Sequence, residues 1–257
     1  MQAVFITGAS SGLGEALARE YAQQGAIVGL VGRNLERLQA LRASLPQAEQ
    51  HAIYALDVNQ HQALQDAAQD FMQRVGKVHI VIASAGISVG TLSELREDLP
   101  VFQRVMETNV LATVASFMPF IEHMKQHAQQ EPCRLVGIAS VAGIRGLPGA
   151  SAYSASKAAV ISYCESLRVE LRDSAIRVVT IAPGYIDTPM TKVNAYAMPF
   201  LMPSQKFARQ ARSSIAQGVS YRVIPWQMGV VAKILRGMPN FLYDFAFSKA
   251  PRKSREL

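Results

Sequence analysis

The chain has 257 residues, of which 49% are hydrophobic and 18% are charged, and its formal net charge is +7. These values exclude a disordered chain, and the length is sufficient for one large α/β domain whose core needs no disulfide or metal. No apolar stretch is long enough to span a bilayer and no leader-like segment precedes the first strand, so we expect a cytoplasmic protein.

Short apolar runs alternate with amphipathic segments, which predicts parallel strands joined by helices. Strands are predicted near residues 3–7, 26–32, 51–57, 78–84, 133–139, 176–182 and 220–224. Helices are predicted near 12–24, 34–44, 60–74, 98–128, 151–173 and 227–237. The middle strands lack a clean alternation of apolar and polar residues, as expected when helices cover both faces of a sheet. With no internal repeat or linker, residues 1–257 are predicted to form a single α/β domain.

The two cysteines, Cys133 and Cys164, fall in a predicted strand and a predicted helix. We expect both thiols to be reduced and buried. The sequence predicts neither a disulfide framework nor a metal site.

A glycine-rich turn follows the first predicted strand and opens a helix. It reads Thr7-Gly8-Ala9-Ser10-Ser11-Gly12-Leu13-Gly14. Glycine lets the backbone turn sharply and approach a pyrophosphate, whose charge is stabilised at a helix N-terminus. The spacing differs from the standard Gly-x-Gly-x-x-Gly, and a tight turn without a ligand is the alternative. The position directly after the first strand favours a dinucleotide cofactor.

The end of the second predicted strand indicates which cofactor binds. An NAD site usually has an acidic residue there for the ribose 2′-hydroxyl, whereas this chain has Arg33 and no acid before Glu36. A guanidinium suits a 2′-phosphate, so we predict NADP(H); a solvated surface arginine is the alternative. Asp57, which closes the third strand, could accept from the adenine amine or cap the next helix.

Tyr153 and Lys157 are the candidate catalytic pair. They lie four residues apart on a predicted helix, so their side chains point into the same space. An ammonium about 5 Å from a phenol stabilises the phenolate by about 3 kcal/mol, or about two pKa units, which favours acid/base catalysis. Ser140, at the preceding strand end, could hold a substrate oxygen beside the phenol. Taken alone, the Tyr-x-x-x-Lys spacing has chance occurrence as its alternative, because the chain has eight tyrosines.

Together these residues resemble the short-chain dehydrogenase/reductase family. The family's motifs occur in its own order and spacing from residue 1 to about residue 190. Besides the glycine-rich turn they are Asp57-Val58, Ser84-Ala85-Gly86, Asn109, Ser140, Tyr153-x-x-x-Lys157, and Pro183-Gly184 with Thr188. The joint match is far more specific than any of its parts.

The resemblance implies a doubly wound, seven-stranded parallel sheet of the Rossmann type and a catalytic tetrad. In the tetrad Tyr153 exchanges the proton, and Lys157 lowers its pKa and holds the ribose. Ser140 orients the carbonyl, and Asn109 keeps a water relay. The implied cofactor-binding residues are Gly8, Ser10, Ser11, Gly12, Leu13, Gly14, Arg33, Asp57, Val58, Ser84, Ala85, Gly86, Tyr153, Lys157, Pro183, Gly184, Ile186 and Thr188.

The chain departs from the family pattern at Ser84, where the family usually has asparagine. Serine keeps a hydrogen-bonding group but is shorter. We therefore expect the contact that stabilises the strand to change, and the chemistry to be unaffected.

These features predict an NADP(H)-dependent oxidoreductase that transfers a hydride between nicotinamide and a carbonyl or secondary alcohol. The alternatives are a regulator that binds NADPH without turnover, a scaffold with a vestigial pocket and, as a minor one, isomerase or dehydratase chemistry. A regulator has no need of Ser140, Tyr153 and Lys157 together, which favours an enzyme. By analogy with the family, the helices near 98–128 and 151–173 pair across a two-fold axis, giving a homodimer or tetramer.

The segment at about 185–215 corresponds to the family's flexible lid over the substrate. It contains Met198-Pro199-Phe200-Leu201-Met202-Pro203. This apolar content favours a hydrophobic or lipid-like ketone. Packing of the same residues against the sheet edge is the alternative.

All of the excess positive charge lies in the last quarter of the chain. Residues 190–257 hold 11 lysines and arginines against two acids, whereas residues 1–189 hold 15 against 17. Within the basic, aromatic extension at about 226–257, we expect residues 226–247 to pack on the domain or on a partner subunit. The stretch from about residue 250 is expected to be loosely held. A membrane-surface, lipid-modifying reductase is the alternative, and nucleic acid is not expected because no binding motif accompanies the charge.

Overall fold

A computed structural model describes residues 1–194, 196–248 and 255 of the chain. Seven parallel strands form one sheet in the order β3-β2-β1-β4-β5-β6-β9. They are β1 (Ala3–Thr7), β2 (Ile27–Gly32), β3 (Ala52–Ala55), β4 (Ile80–Ala83), β5 (Arg134–Ile138), β6 (Arg177–Pro183) and β9 (Tyr221–Ile224). The predicted doubly wound sheet is confirmed. Two short strands, β7 (Ile186–Asp187) and β8 (Met202–Pro203), pair separately and were not predicted.

Helices cover both faces of the sheet. They are α1 (Gly12–Gln23), α2 (Leu35–Ala43), α3 (His61–Val75), α4 (Leu99–Met106), α5 (Ala112–Lys125), α6 (Ser151–Glu170), α7 (Pro189–Lys192), α8 (Ser204–Ala216), α9 (Trp226–Gly237) and α10 (Asn240–Phe247). The single helix predicted near 98–128 is instead α4 and α5 joined by a π-helical turn over Glu107–Leu111. Helix α8 was missed because its segment was interpreted as lid.

Two apolar layers bury the sheet. Neighbouring residues of β1 belong to different layers: Phe5 packs with α3 and α5, whereas Val4 and Ile6 pack with α1 and α8. The Phe5 ring lies 5.5 Å from the Phe71 ring and 4.9 Å from the Phe120 ring, measured between centroids. Because both faces are covered, the central strands β1, β2 and β4 are apolar at nearly every position.

The strand order reverses between β1 and β4, so a crevice opens at the carboxyl ends of these strands. Thr7, the last residue of β1, joins the two loops that line the crevice. Its hydroxyl oxygen accepts hydrogen bonds from the backbone N–H groups of Ser84 (3.2 Å) and Ala85 (3.3 Å). The fold therefore brings the glycine-rich turn and the Ser84 loop together.

The helical C-terminal extension is present and contacts the domain, but several of its large apolar side chains lie in solvent, so their predicted packing on a partner subunit stays a prediction. Trp226 is 69% exposed, Ile234 60%, Phe241 71% and Phe245 85%. The two helices contact the rest of the domain through other side chains. Met228 and Ala232 of α9 and Tyr243 of α10 are buried. The side chains of α9 and α10 are thus divided between an inner face and a large apolar outer face.

The prediction that residues 250–257 are loosely held lies outside the described residues, except at Arg255. Its guanidinium forms an ion pair with Asp98 (2.9 Å). No helix in the described part of the chain is long and apolar enough to cross a membrane. Both cysteines are free and buried, as predicted. Among the described residues, no group of three or more His, Cys, Asp or Glu side chains is placed to hold a metal ion.

Candidate active site

The glycine-rich turn forms a backbone cradle at the N-terminus of α1. Gly8 and Gly12 adopt φ values of +72° and +60°, which disfavour other residues. A Cβ atom on Gly8 would lie 2.8 Å from the backbone of Ala85, and one on Gly14 would collide with the carbonyl oxygen of Gly8. The Ser11 side chain makes no capping hydrogen bond to the first turn of α1. The helix N-terminus is therefore open to an anionic group.

One cleft of about 320 Å³ contains every predicted cofactor residue together with Ser140. It runs from the glycine-rich turn, past the ends of β2, β3 and β4, to α6 and the loop after β6. Sequence reasoning missed several residues that also line it. These are Gly32, Leu56, Asn59, Ile87, Arg104, Thr108, Ile138, Ala139, Pro189, Met190 and Thr191. They lie on strand ends, loops and helices, and the tertiary fold brings them to the cleft.

The far end of the cleft is polar and carries Arg33. The Arg33 side chain is exposed, and the adjacent Gly32 lies so close to Ser10 that a Cβ atom there would be 3.0 Å from the serine hydroxyl oxygen. Asp57 accepts a hydrogen bond from the backbone N–H of Asn59 (3.0 Å). Helix α3 begins after Gln60, so Asp57 does not cap it and the capping alternative is wrong.

The loop after β4 tests whether a dinucleotide fits. The Ser84 hydroxyl is buried and has no hydrogen-bond partner within the described part of the chain, although the residue lines the cleft. A buried hydroxyl without a partner is unfavourable, so this site suits a polar ligand group. The backbone of Ser84 is still held by Thr7. The orphaned hydroxyl and the glycine cradle both fit a bound dinucleotide.

Ser140, Tyr153 and Lys157 meet at the near end of the cleft. Ser140 follows β5, where its hydroxyl oxygen accepts a hydrogen bond from the Ala142 backbone N–H (3.2 Å), and it also hydrogen-bonds to Tyr153. Tyr153 and Lys157 lie one turn apart on α6. The Lys157 ammonium donates to the Ile138 carbonyl (2.8 Å) and lies 5.8 Å from the centroid of the Tyr153 ring.

Burial governs the ionisation of this pair. It lowers the pKa of the Lys157 ammonium to about 8. Burial also raises the pKa of the Tyr153 phenol, and the hydrogen bond with Ser140 partly opposes this increase. The predicted lowering of the phenol pKa by Lys157 stays a prediction. Burial disfavours the charged phenolate, and the Lys157 ammonium donates to the Ile138 carbonyl.

Asn109 lies in the π-helical turn and holds two walls of the cleft together. Its carbonyl oxygen accepts from the Ile87 N–H (2.8 Å), and its amide nitrogen donates to the Ile87 carbonyl (3.0 Å) and the Ser156 hydroxyl (2.9 Å). These bonds link the loop after β4 to α6. The water relay that the resemblance implies for Asn109 remains a prediction.

The lid brings aromatic residues to the substrate side. The Tyr185 and Tyr196 rings lie 6.4 Å apart, edge to face. Burial raises the pKa of Tyr196, and Met190 of the lid lines the cleft. The Thr191 hydroxyl bonds to the Thr188 N–H (3.1 Å), which fixes the start of α7 beside the cleft.

Comparisons with known proteins agree with this geometry. The family model described as short chain dehydrogenase matches residues 2–197. An uncharacterized oxidoreductase of Myxococcus xanthus is 35% identical over 245 residues, which cover 94% of each chain. A 2-dehydro-3-deoxy-L-rhamnonate dehydrogenase (NAD(+)) of a Sphingomonas species is 35% identical over 72% of each chain.

Solved structures show the same architecture. A crystal structure of 3-ketoacyl-(acyl-carrier-protein) reductase from Brucella melitensis, complexed with NADH, superimposes with a TM-score of 0.79. It is 26% identical, and the match covers 87% of this chain and 96% of that one. This chain is therefore an oxidoreductase with an NAD(P)-binding Rossmann fold, and it belongs to the short-chain dehydrogenase/reductase family.

Proposed function

We propose that the protein is an NADP(H)-dependent oxidoreductase that acts on the carbonyl or secondary alcohol of a hydrophobic substrate. The observation that supports it most directly is the meeting of Ser140, Tyr153 and Lys157 at one end of a cleft whose other end carries the glycine cradle and Arg33. Binding alone would not need the three polar side chains at the near end.

The preference for NADP(H) rests on Arg33. Its exposed side chain follows the end of β2, next to Gly32 and in the same cleft as Ser10, at the position where a 2′-phosphate of the cofactor would lie. The neighbouring Gly32 and Asn34 carry no charge that would repel a phosphate. The glycine cradle and the N-terminus of α1 would hold the pyrophosphate.

In this proposal the side chains divide the chemistry between them. When bound, the nicotinamide supplies or accepts the hydride. The Ser140 hydroxyl orients the substrate oxygen, and the Tyr153 phenol donates its proton to that oxygen during reduction. Burial keeps the phenol protonated, which is the state a general acid requires. Lys157 ties α6 to the end of β5, and Asn109 ties α6 to the loop after β4.

The lid supports a hydrophobic substrate. Met190 lines the cleft, Tyr185, Tyr196 and Met198 of the same segment are only partly exposed, and Phe200 and Leu201 are apolar and exposed. A sugar or small hydroxy acid would require more charged or amide groups here. We therefore propose an extended apolar ketone or aldehyde as the substrate class.

We further propose that the protein forms a homodimer or tetramer through α5 and α6. Members of this family are commonly oligomeric, and Met118 on α5 (64% exposed) and Val169 on α6 (61%) are apolar side chains on the outer surface. Light scattering coupled to gel filtration measures the mass directly. A monomer at micromolar concentration would contradict this assembly.

A panel of aliphatic and aromatic ketones and aldehydes, with sugar carbonyls for comparison, tests the proposed function. Consumption of NADPH and of NADH is followed by absorbance in separate assays, because the Sphingomonas relative is named for NAD(+) and the Brucella melitensis structure contains NADH. We expect NADPH oxidation with apolar carbonyls. Tight NADPH binding without turnover on any carbonyl or alcohol would instead identify a regulator.

A further inference from the structure

The outer face of α9 is apolar and in solvent. Trp226, Val230 and Ile234 follow one another at four-residue spacing, so they lie along one side of the helix. They are 69%, 48% and 60% exposed, whereas Met228 and Ala232 on the opposite side are buried. A stripe of large apolar side chains in water is unfavourable for a protein that stays free in solution.

This stripe continues onto the lid. Phe200, Leu201 and Trp226 line one shallow depression of about 280 Å³ at the start of α9, together with Lys206. Phe200 and Leu201 are 51% and 47% exposed. We call the five residues Phe200, Leu201, Trp226, Val230 and Ile234 the C-terminal apolar surface.

Helix α10 repeats the pattern. Phe241 and Phe245, again four residues apart, are 71% and 85% exposed. On the other side of the helix Tyr243 is buried and its ring stacks on that of Phe247, with centroids 4.4 Å apart. The inner aromatics thus hold α10 to the domain, and the outer pair projects away from it.

Positive charge surrounds these apolar residues. Lys206, Lys233 and Arg236 are exposed, and none of the three forms an ion pair within residues 1–194, 196–248 and 255. Asp244 is the single acidic residue between positions 190 and 255. A second copy of the chain seated here would bring the same uncompensated cations together, which is repulsive.

We propose that the C-terminal apolar surface, together with Phe241 and Phe245 of α10, docks on the surface of an anionic phospholipid bilayer. Aromatic and aliphatic side chains beside lysine and arginine are the combination that interfacial helices use, with apolar groups at the headgroup boundary and cations on the lipid phosphates. Helices α9 and α10 then lie in the interface without crossing the membrane. Because Phe200 and Leu201 belong to the lid, docking places the lid at the bilayer.

Trp226 provides a direct probe, because it is the single tryptophan of the chain. The full-length protein is mixed with vesicles of phosphatidylcholine alone or with phosphatidylglycerol added. With anionic vesicles we expect a blue shift of Trp226 emission, quenching by brominated acyl chains, and co-sedimentation that high salt reverses. Unchanged emission together with protein that stays in the supernatant would overturn the proposal.

Charge variants test whether vesicle binding depends on the cations of this surface or only on the net charge of the protein. Each cation near an anionic surface strengthens binding about fivefold, so replacing Lys206, Lys233 and Arg236 by Gln should weaken it about 100-fold. The matched control carries Arg37→Gln, Lys125→Gln and Arg172→Gln, which remove the same charge from exposed sites elsewhere. An equal loss of binding in both triple variants would overturn the proposal.

A hydrophobic variant completes the test and keeps the tryptophan. Phe241→Ser with Phe245→Ser should weaken vesicle binding at least about tenfold, since two exposed aromatics no longer enter the lipid. Leu35→Ser, at an exposed apolar site on α2, is the control and should leave binding unchanged. If Trp226 emission instead shifts with protein concentration in the absence of lipid, the face is an interface between copies and the bilayer proposal fails.

Discussion

The guanidinium carbon of Arg145 lies 4.0 Å from the centroid of the Tyr243 ring, which ties the loop after Ser140 to the C-terminal helix α10. The same guanidinium donates to the Met238 carbonyl (2.7 Å) and to the Asn240 side-chain oxygen (3.0 Å). Tyr243 in turn donates its hydroxyl hydrogen to the Gly146 carbonyl. The loop between the candidate catalytic residues therefore depends on residues nearly 100 positions later in the chain.

Arg145→Ala should lower the free energy of unfolding by about 2–4 kcal/mol, because charge-assisted hydrogen bonds and a cation–π contact are lost together. Arg145→Lys keeps the charge but loses the planar fork, so its loss should be intermediate. Urea unfolding measures both, with Arg37→Ala on the exposed face of α2 as control. Equal stability of the Arg145→Ala and control variants would show that the contact does not hold the loop.

The buried ring of His51 makes stability depend on pH. Its Nδ1 accepts from the Val28 N–H (3.1 Å) and its Nε2 bonds to the Pro46 carbonyl (2.9 Å), so the ring is neutral in the fold. Burial lowers the pKa of His51 below its ordinary value of about 6.5. Above that pH both the folded and unfolded states are neutral, whereas below it the unfolded state binds the extra proton and stability falls.

We therefore expect the melting temperature to decrease between about pH 6.5 and 5. His51→Gln should melt lower at pH 8 and show a shallower decrease. Melting curves in a single buffer series at constant salt give the slopes. An increase in stability on acidification over this range would contradict the assignment.

Gly86→Ala should impair activity by displacing groups of the site. A Cβ atom at residue 86 would lie 3.1 Å from the Asn109 side-chain oxygen and 3.5 Å from the Lys157 ammonium nitrogen. Such overpacking should lower the free energy of unfolding by about 1–3 kcal/mol. It should also shift the Asn109 side-chain amide, which links the two walls of the cleft. The control is Gly237→Ala, where a Cβ atom meets nothing within 4 Å. Comparable kcat values for the two variants would contradict the argument.

Arg33→Asp should reverse the cofactor preference. Losing a charge-assisted contact to the 2′-phosphate should weaken NADPH binding about 10- to 100-fold, while the new carboxylate can accept from the 2′-hydroxyl of NADH. Titration calorimetry with both nucleotides measures the two dissociation constants. Arg37→Asp, one turn into α2, reports the general effect of the charge change. A wild-type protein that prefers NADH would contradict the assignment of Arg33.

The features that could be predicted from the sequence are local ones at the carboxyl ends of strands. The glycine-rich turn and the pair Tyr153 and Lys157 are recognised by their local residue spacing, and Arg33 by its position at the end of a strand. Because the strands are parallel, their carboxyl ends meet at one edge of the sheet, and these residues line the same cleft. Helix α8 was missed, although Phe207, Ala211 and Ile215 have the spacing of a buried helical face. The segment at about 185–215 was assigned to the lid by its correspondence with the family, and this assignment concealed the helix.

The direction of the Tyr153 pKa shift could not be predicted in the same way. It depends on the burial that tertiary packing gives the phenol and on which group accepts the hydrogen bond of the Lys157 ammonium. The contact of Arg145 with Tyr243 and the hydrogen bond from Val28 to His51 were missed for a related reason, since both join segments that are distant in sequence.

The most direct test of the central claim is the kcat of Tyr153→Phe with NADPH and the best carbonyl substrate from the panel. The substitution removes only the hydroxyl that gives its proton to the substrate oxygen. We predict that kcat falls about 100- to 10,000-fold, while the calorimetric dissociation constant for NADPH and the melting temperature remain those of the wild type. A kcat within about tenfold of wild type would show that Tyr153 is not the general acid.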